Sequence, residues 1–121
     1  MPHIADYAAP PASVNLISDA AWNRASMAYV LLVEDDRTLA DTIADLLSSQ
    51  YRVSVAYDGE TALEEASRAA PDSVLLDLGL PEIDGFDVAR RLRQLLGDAV
   101  RLIAYTARSD VSPRELQDAG F

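Results

Sequence analysis

Three acidic side chains and one hydroxyl lie where apolar runs of the sequence end. Glu34 and Asp35 follow the run at 29–33, Asp77 ends a second run, and Thr106 follows a third. Each residue alone has an ordinary explanation, because an acid after a strand is often a helix cap or a solvated turn residue. Together they offer the oxygen ligands that a hard cation such as Mg²⁺ prefers.

The surrounding elements determine whether these side chains meet. Apolar strands at 29–33, 53–57, 74–77 and 102–105 alternate with helical patterns at 37–50, 60–70, 86–96 and from 113 onward. Such alternation predicts right-handed crossovers and an α/β doubly wound fold with a parallel sheet. All strands of that sheet end on one edge, where ligands bind at the point of reversed strand order. We therefore expect the four polar residues to share one cleft.

Local signals predict several boundaries and faces. Asp36 is expected to cap the first helix, and Asp58-Gly59 is interpreted as a turn. Ser112 begins a capping box that starts the last helix, which Gly120 would end. Two groups of side chains are assigned to faces: Leu39, Ile43, Leu46 and Leu47 to the apolar side of the first helix, and Arg90, Arg91 and Arg93 to a solvated helix face.

Composition excludes several classes of function. The 121 residues are enough for one domain, and the net charge of -10 argues against binding of nucleic acid or an anionic membrane. There is no Cys, so thiol chemistry and disulfides are excluded. No apolar run reaches the length of a membrane span, and a cytoplasmic location is the default expectation. Residues 1–27, which hold three of the six prolines, are expected to be a disordered or weakly helical extension.

Three segments carry a resemblance to a known family. They are VEDD at 33–36, VLLDLGLPEIDG at 74–85 and YTA at 105–107. At these spacings they resemble the receiver domains of response regulators in two-component signalling, and the resemblance covers residues 28–121. It implies a flavodoxin-like receiver fold. It also implies that Mg²⁺ is the cofactor.

The resemblance implies a role for each matching residue. Asp77 would be the phosphoacceptor, and Glu34 and Asp35 the acidic pair, with Asp35 the more direct Mg²⁺ ligand. The main-chain carbonyl of Gly79 would be a further ligand, and Thr106 would hydrogen-bond the phosphoryl group. The remaining implied positions are Leu78 and Ala107, assigned to binding beside Asp77 and Thr106, and Pro81 and Gly85, which would shape the loop after the acceptor.

The implied function is acceptance of a phosphoryl group from a sensor histidine kinase or a phosphotransfer protein. The product on Asp77 is a labile acyl phosphate, which suits a reversible switch. The domain would be a substrate with at most slow autodephosphorylation, and not an enzyme in its own right. An alternative is a receiver-like interaction module without phosphate turnover. A dehalogenase-type phosphatase has little support, because Gly79 occupies the position of its second Asp.

The sequence also departs from the family pattern. Receivers carry a Lys after a fifth strand, whereas all ten basic residues here are Arg, and Arg108 is a poor substitute. The last residue, Phe121, falls where that strand would begin. We therefore expect a receiver domain incomplete at its C-terminus, without the fifth strand and last helix, with impaired phosphorylation. An exposed sheet edge would then be available for pairing with a second copy of the chain.

Overall fold

The computed structural model describes residues 27–80, 84–106 and 111–121. The expectations for residues 1–26, Pro81, Ala107 and Arg108 lie outside the described residues. Strands and helices alternate along the described chain, as predicted. They are β1 (Tyr29–Val33), α1 (Arg37–Leu47), β2 (Arg52–Ala56), α2 (Gly59–Arg68), β3 (Ser73–Asp77), α3 (Gly85–Leu96), a 3₁₀ turn (Gly97–Ala99), β4 (Arg101–Tyr105) and α4 (Pro113–Asp118).

The described strands form one parallel sheet in the order β2-β1-β3-β4. The chain moves from β1 to one side and then crosses back to β3 on the other side, so the order reverses between β1 and β3. Right-handed crossovers place α1 on one face and α2 with α3 on the opposite face, and α2 and α3 contact each other. The predicted doubly wound α/β fold is confirmed.

Most of the core lies between the sheet and the face formed by α2 and α3. The strands contribute Leu31, Val33 and Leu76, which are completely buried. Small residues of the helices allow close approach to these strands. The helix residues buried in this cluster are Ala62, Ala66, Phe86, Val88, Ala89 and Leu92.

Two predicted helix caps are confirmed, and the predicted turn at Asp58-Gly59 is also the start of a helix. The Asp36 carboxylate accepts the backbone N–H of Leu39, and Ser112 forms the capping box with Glu115. The chain bends at Asp58, and the Asp58 carboxylate accepts the N–H of Thr61 and caps a helix that begins at Gly59. The first helix also ends earlier than predicted, at 47, since the polar residues after it have no core to cover.

The apolar side predicted for α1 is only partly buried. Leu39 is 43% exposed and Leu46 is 74% exposed, whereas Ala40 is completely buried against the sheet. Arg37 stacks on the Tyr57 ring just past the end of β2, so the flank with the two leucines points the other way, toward β3 and β4. No described element covers that flank, so Leu39 and Leu46 are exposed although they lie on the apolar side of the helix, as predicted.

Arg93 is also misassigned by the sequence pattern. Arg90 and Arg91 lie on an exposed surface, as predicted, near Asp87 and Glu60. The Arg93 guanidinium instead donates to three carbonyl oxygens, of Gly97 (2.8 Å), Val100 (2.7 Å) and Gly120 (2.5 Å). It therefore joins the end of α3 to the segment after α4.

The Arg93 contacts lead to a stability prediction. Because water competes for the same groups, a hydrogen bond from a charged donor contributes a net stabilisation of about 2 kcal/mol. We therefore expect Arg93→Gln to lower the free energy of unfolding by about 2 kcal/mol. Urea denaturation measures this change. The matched control is Arg90→Gln, which removes only an exposed (i, i+3) ion pair with Asp87 and should cost under about 0.5 kcal/mol. Equal losses of unfolding free energy in the two variants would show that the three hydrogen bonds of Arg93 do not stabilise the fold.

Candidate functional site

Three carboxylates converge at the carboxyl edge of the sheet, beside the reversal of strand order. Glu34 and Asp35 directly follow β1, and Asp77 is the last residue of the adjacent strand β3. One oxygen from each of the three lies within 4.8 Å of the others. Glu34 is buried, Asp77 is half-buried and Asp35 is exposed. The convergence expected from the sequence is therefore present in the fold.

Glu34 is held at both carboxylate oxygens. Its Oε2 accepts the N–H of Asp36 (3.0 Å), and its Oε1 accepts the hydroxyl of Tyr105 (2.9 Å). Burial raises the pKa of Glu34, and the nearby carboxylates of Asp35 and Asp77 raise it further, while the two hydrogen bonds oppose this shift. Burial and the neighbouring carboxylates thus destabilise the ionised form of Glu34, and a cation in the cluster would offset this effect.

Asp77 is oriented by the backbone of the next loop. Its Oδ1 accepts the N–H of Gly79 (2.9 Å). The carboxylate is half-buried at the strand end, so one side remains accessible from the edge of the sheet. A carboxylate that is fixed at one oxygen and accessible at the other is placed to act as a nucleophile or as a metal ligand.

The other predicted site residues have different positions. Thr106 directly follows β4 and is half-buried beside the same edge. Leu78 is 3% exposed, and its N–H donates to the carbonyl of Tyr105 (3.2 Å), which extends the pairing of β3 with β4 past the strand end. Ala107 lies outside the described residues.

Gly85 has a packing reason that the sequence did not reveal. A Cβ atom built there would lie 2.7 Å from the Cα of Leu78 and 2.9 Å from the carbonyl oxygen of Asp77. The first turn of α3 therefore packs directly on the backbone at the end of β3. Only glycine permits this close approach of the helix to the backbone of Asp77 and Leu78.

The donor set fits Mg²⁺. Three carboxylates within reach of one ion supply hard oxygen ligands, and Mg²⁺ in proteins commonly uses one or two carboxylates and keeps several waters. Among the described residues, no Arg forms an ion pair with Glu34, Asp35 or Asp77. The negative charge of the cluster is therefore not neutralised by the described part of the protein.

Sequence comparison decides the family. A model of the response regulator receiver domain matches residues 30–119. The chain belongs to the response regulator receiver family. Phosphorylation and Mg²⁺ binding at an acidic pocket are typical of that family, whose domains act in two-component signalling.

The curated relatives are longer than this chain. Response regulator MprA of Mycobacterium leprae is 41% identical over 86 residues, and MprA of Mycolicibacterium vanbaalenii is 40% identical over 86 residues. Each match covers 70% of this chain and 37% of the relative. The chain thus spans well under half the length of these curated relatives.

Solved structures agree with the receiver fold. The chemotaxis protein CheY4 of Vibrio cholerae has a TM-score of 0.70 at 28% identity, and the match covers 78% of this chain and 81% of that one. The BeF3-activated receiver domain of DrrB, from Thermotoga maritima, has a TM-score of 0.69 at 26% identity. That match covers 78% of this chain and 79% of the DrrB domain.

One residue of the receiver site was missed by sequence reasoning. The sequence places Tyr105 in the fourth strand and in the YTA segment but assigns it no role, yet its hydroxyl donates to Glu34, 71 residues away. Its position before Thr106 was the one available signal. Among the described residues, no helix is long and apolar enough to cross a membrane.

Proposed function

We propose that Asp77 of this receiver accepts a phosphoryl group from a phosphohistidine, with Mg²⁺ held by the acidic cluster. The observation that supports this most directly is the meeting of the Glu34, Asp35 and Asp77 carboxylates within 4.8 Å in a chain of this family. Ordinary helix capping does not bring acids from two separate strands to one point.

In this proposal, Asp77 supplies the attacking oxygen. Because Oδ1 accepts the Gly79 N–H, we assign the attack to Oδ2. A bond forms between Oδ2 and phosphorus while the bond from phosphorus to the donor imidazole nitrogen breaks, and that nitrogen takes up a proton. Such transfer depends on positioning and charge neutralisation more than on covalent help from the protein.

Other residues would hold the cation and the phosphoryl oxygens. We assign Glu34, Asp35, Asp77 and the Gly79 carbonyl to Mg²⁺, which supplies positive charge against the carboxylates and the incoming phosphoryl group. Thr106 would donate its hydroxyl to a phosphoryl oxygen, and the backbone at Leu78 and Ala107 would line the same position. Slow autodephosphorylation would return the domain to its starting state.

The partner in this proposal is a sensor histidine kinase or a phosphotransfer protein, encountered in the cytoplasm. A second copy is a further candidate partner at β4. This strand is the edge of the described sheet, and Ile103 on it is 40% exposed. Unpaired strand edges are ready sites for pairing between chains.

Acetyl phosphate labelling tests the function. The full chain is incubated with acetyl phosphate and MgCl₂, and intact-protein mass spectrometry measures the gain of one phosphoryl group. We expect incorporation that is prevented by EDTA and reversed by hydroxylamine, which cleaves acyl phosphates. Absence of incorporation with acetyl phosphate and with a phosphorylated histidine donor would instead support the interaction module without phosphate turnover.

A further inference from the structure

Glu34 differs from the other two carboxylates in what holds it in place. Asp77 is oriented by Gly79, two residues along the chain. Glu34 is 3% exposed, and its Oε1 is held by a side chain from a different strand, the hydroxyl of Tyr105. The position of the buried acid of the cluster therefore depends on the end of β4.

Tyr105 reaches Glu34 across the intervening strand. The sheet order places β3 between β1 and β4. At the usual spacing between strands, β1 and β4 are therefore roughly 10 Å apart. The two side chains must therefore meet over the carboxyl end of β3, where Asp77 lies. Asp77 is the register partner of Tyr105 in the β3–β4 pairing, and the Tyr105 carbonyl accepts the Leu78 N–H.

The hydroxyl acts as a donor in this contact. Burial, followed by the bond to Glu34, raises the pKa of the Tyr105 phenol far above its ordinary value, so the proton stays on the oxygen. A donor at Oε1 and the Asp36 N–H at Oε2 together fix the plane of the carboxylate. Fixed ligand geometry is what outer-sphere hydrogen bonds supply to metal sites.

We propose that Tyr105 is a positioning residue for cation binding: its hydroxyl orients Glu34 toward the shared cation, and the contact senses whether the cluster is occupied. The inference rests on the proposed function for its physiological meaning but not for its test, which needs only Mg²⁺. When a cation draws electron density from Glu34, the Tyr105–Glu34 bond weakens. The phenol ring then experiences a changed environment without itself being a ligand.

Tyr105→Phe tests the positioning role with Mg²⁺ alone. Loss of an outer-sphere partner typically weakens metal binding by about 10–100-fold, and we expect at least about 10-fold weaker Mg²⁺ binding by isothermal titration calorimetry. The matched control is Tyr57→Phe, which removes a phenol-to-carboxylate bond of the same length (2.9 Å, to Asp41) outside the cluster. The control should bind Mg²⁺ as the wild type does. Equal affinity of all three proteins would overturn the inference.

A second readout is measured on the wild-type protein and does not depend on the Mg²⁺ affinity of the variant. The protein is labelled with 3-fluorotyrosine, and the ¹⁹F resonances of its five tyrosines are followed during Mg²⁺ titration. The Tyr105 signal, assigned by its loss in Tyr105→Phe or by elimination with Phe at 7, 29, 51 and 57, should shift with the calorimetric midpoint. An unshifted Tyr105 signal at saturating Mg²⁺ would overturn the inference.

These outcomes separate the inference from the proposed function. If Mg²⁺ binds, Tyr105→Phe weakens it, and acetyl phosphate still gives no acyl phosphate, then the positioning role stands and phosphoryl acceptance fails. If phosphate is incorporated while Tyr105→Phe binds Mg²⁺ normally, phosphoryl acceptance stands and the positioning role fails. A wild-type chain that binds no Mg²⁺ contradicts both.

Discussion

Replacing Asp77 by Asn is expected to abolish phosphate incorporation from acetyl phosphate in the presence of Mg²⁺. The amide is isosteric with the carboxylate and retains an acceptor for the Gly79 N–H, but it is a poor nucleophile and cannot form the acyl phosphate. The substitution also removes one of the three carboxylates that could hold a cation. Intact-protein mass spectrometry should therefore show no phosphoryl adduct on this variant.

Two controls separate lost chemistry from lost structure. Asp45→Asn, on the exposed side of α1, should be labelled at the wild-type rate. The Asp77 carboxylate contributes to the raised pKa of Glu34, so its removal relieves repulsion in the cluster. The thermal midpoint of Asp77→Asn without Mg²⁺ should accordingly equal or exceed that of the wild type. If Asp77→Asn were labelled at the wild-type rate, the phosphoacceptor would be a different residue.

Gly85→Ala is expected to cause a large loss of stability. The new methyl group would lie 2.7 Å from the Leu78 Cα and 2.9 Å from the Asp77 carbonyl oxygen. Both contacts are with backbone, so either α3 or the end of β3 must move. Such overpacking costs about 1–3 kcal/mol, which outweighs the gain in helix propensity of under about 1 kcal/mol when Gly is replaced by Ala.

Thermal unfolding measures the effect of this substitution. A loss of 1 kcal/mol lowers the midpoint by about 4–8 °C in a domain of this size. Gly79→Ala is the matched control, since a Cβ there meets Asp77 Oδ1 at an ordinary 3.5 Å and its backbone does not need a positive φ. Mg²⁺ affinity should fall in Gly85→Ala because displaced backbone moves Asp77. An unchanged midpoint would show that α3 can shift without cost.

The predicted elements agree with the structure where one local rule dominates. Apolar runs bounded by acids became the central strands, and Asp36 and Ser112 cap their helices as expected. The cap at Asp58 was not predicted, because Asp-Gly is typical both of turns and of helix starts. In the structure the Asp58 side chain accepts the Thr61 N–H, and residues that favour helices follow it, so this pair begins a helix.

The exposure of the leucines of α1 and the contacts of Arg93 were harder to predict from the sequence. Leu39 and Leu46 match the apolar period of α1, yet periodicity only says which side of a helix is apolar. Whether that side is covered depends on what lies beside it, and no described element does so here. Arg93 has the same sequence character as Arg90 and Arg91, and only the arrival of Gly120 at the end of α3 distinguishes it.

The sequence by itself placed Glu34, Asp35 and Asp77 at one edge of a sheet, because alternating strands and helices favour a parallel sheet whose strands all end at one edge. They meet because β1 and β3 are neighbours in that sheet. Only the tertiary structure decided that the Tyr105 hydroxyl bonds to the buried Glu34 and that Gly85 lies against the backbone of Asp77 and Leu78. Those contacts depend on which strand separates two others and on how closely a helix approaches the sheet. Such distances arise from the packing of the whole domain, and no short segment of the sequence encodes them.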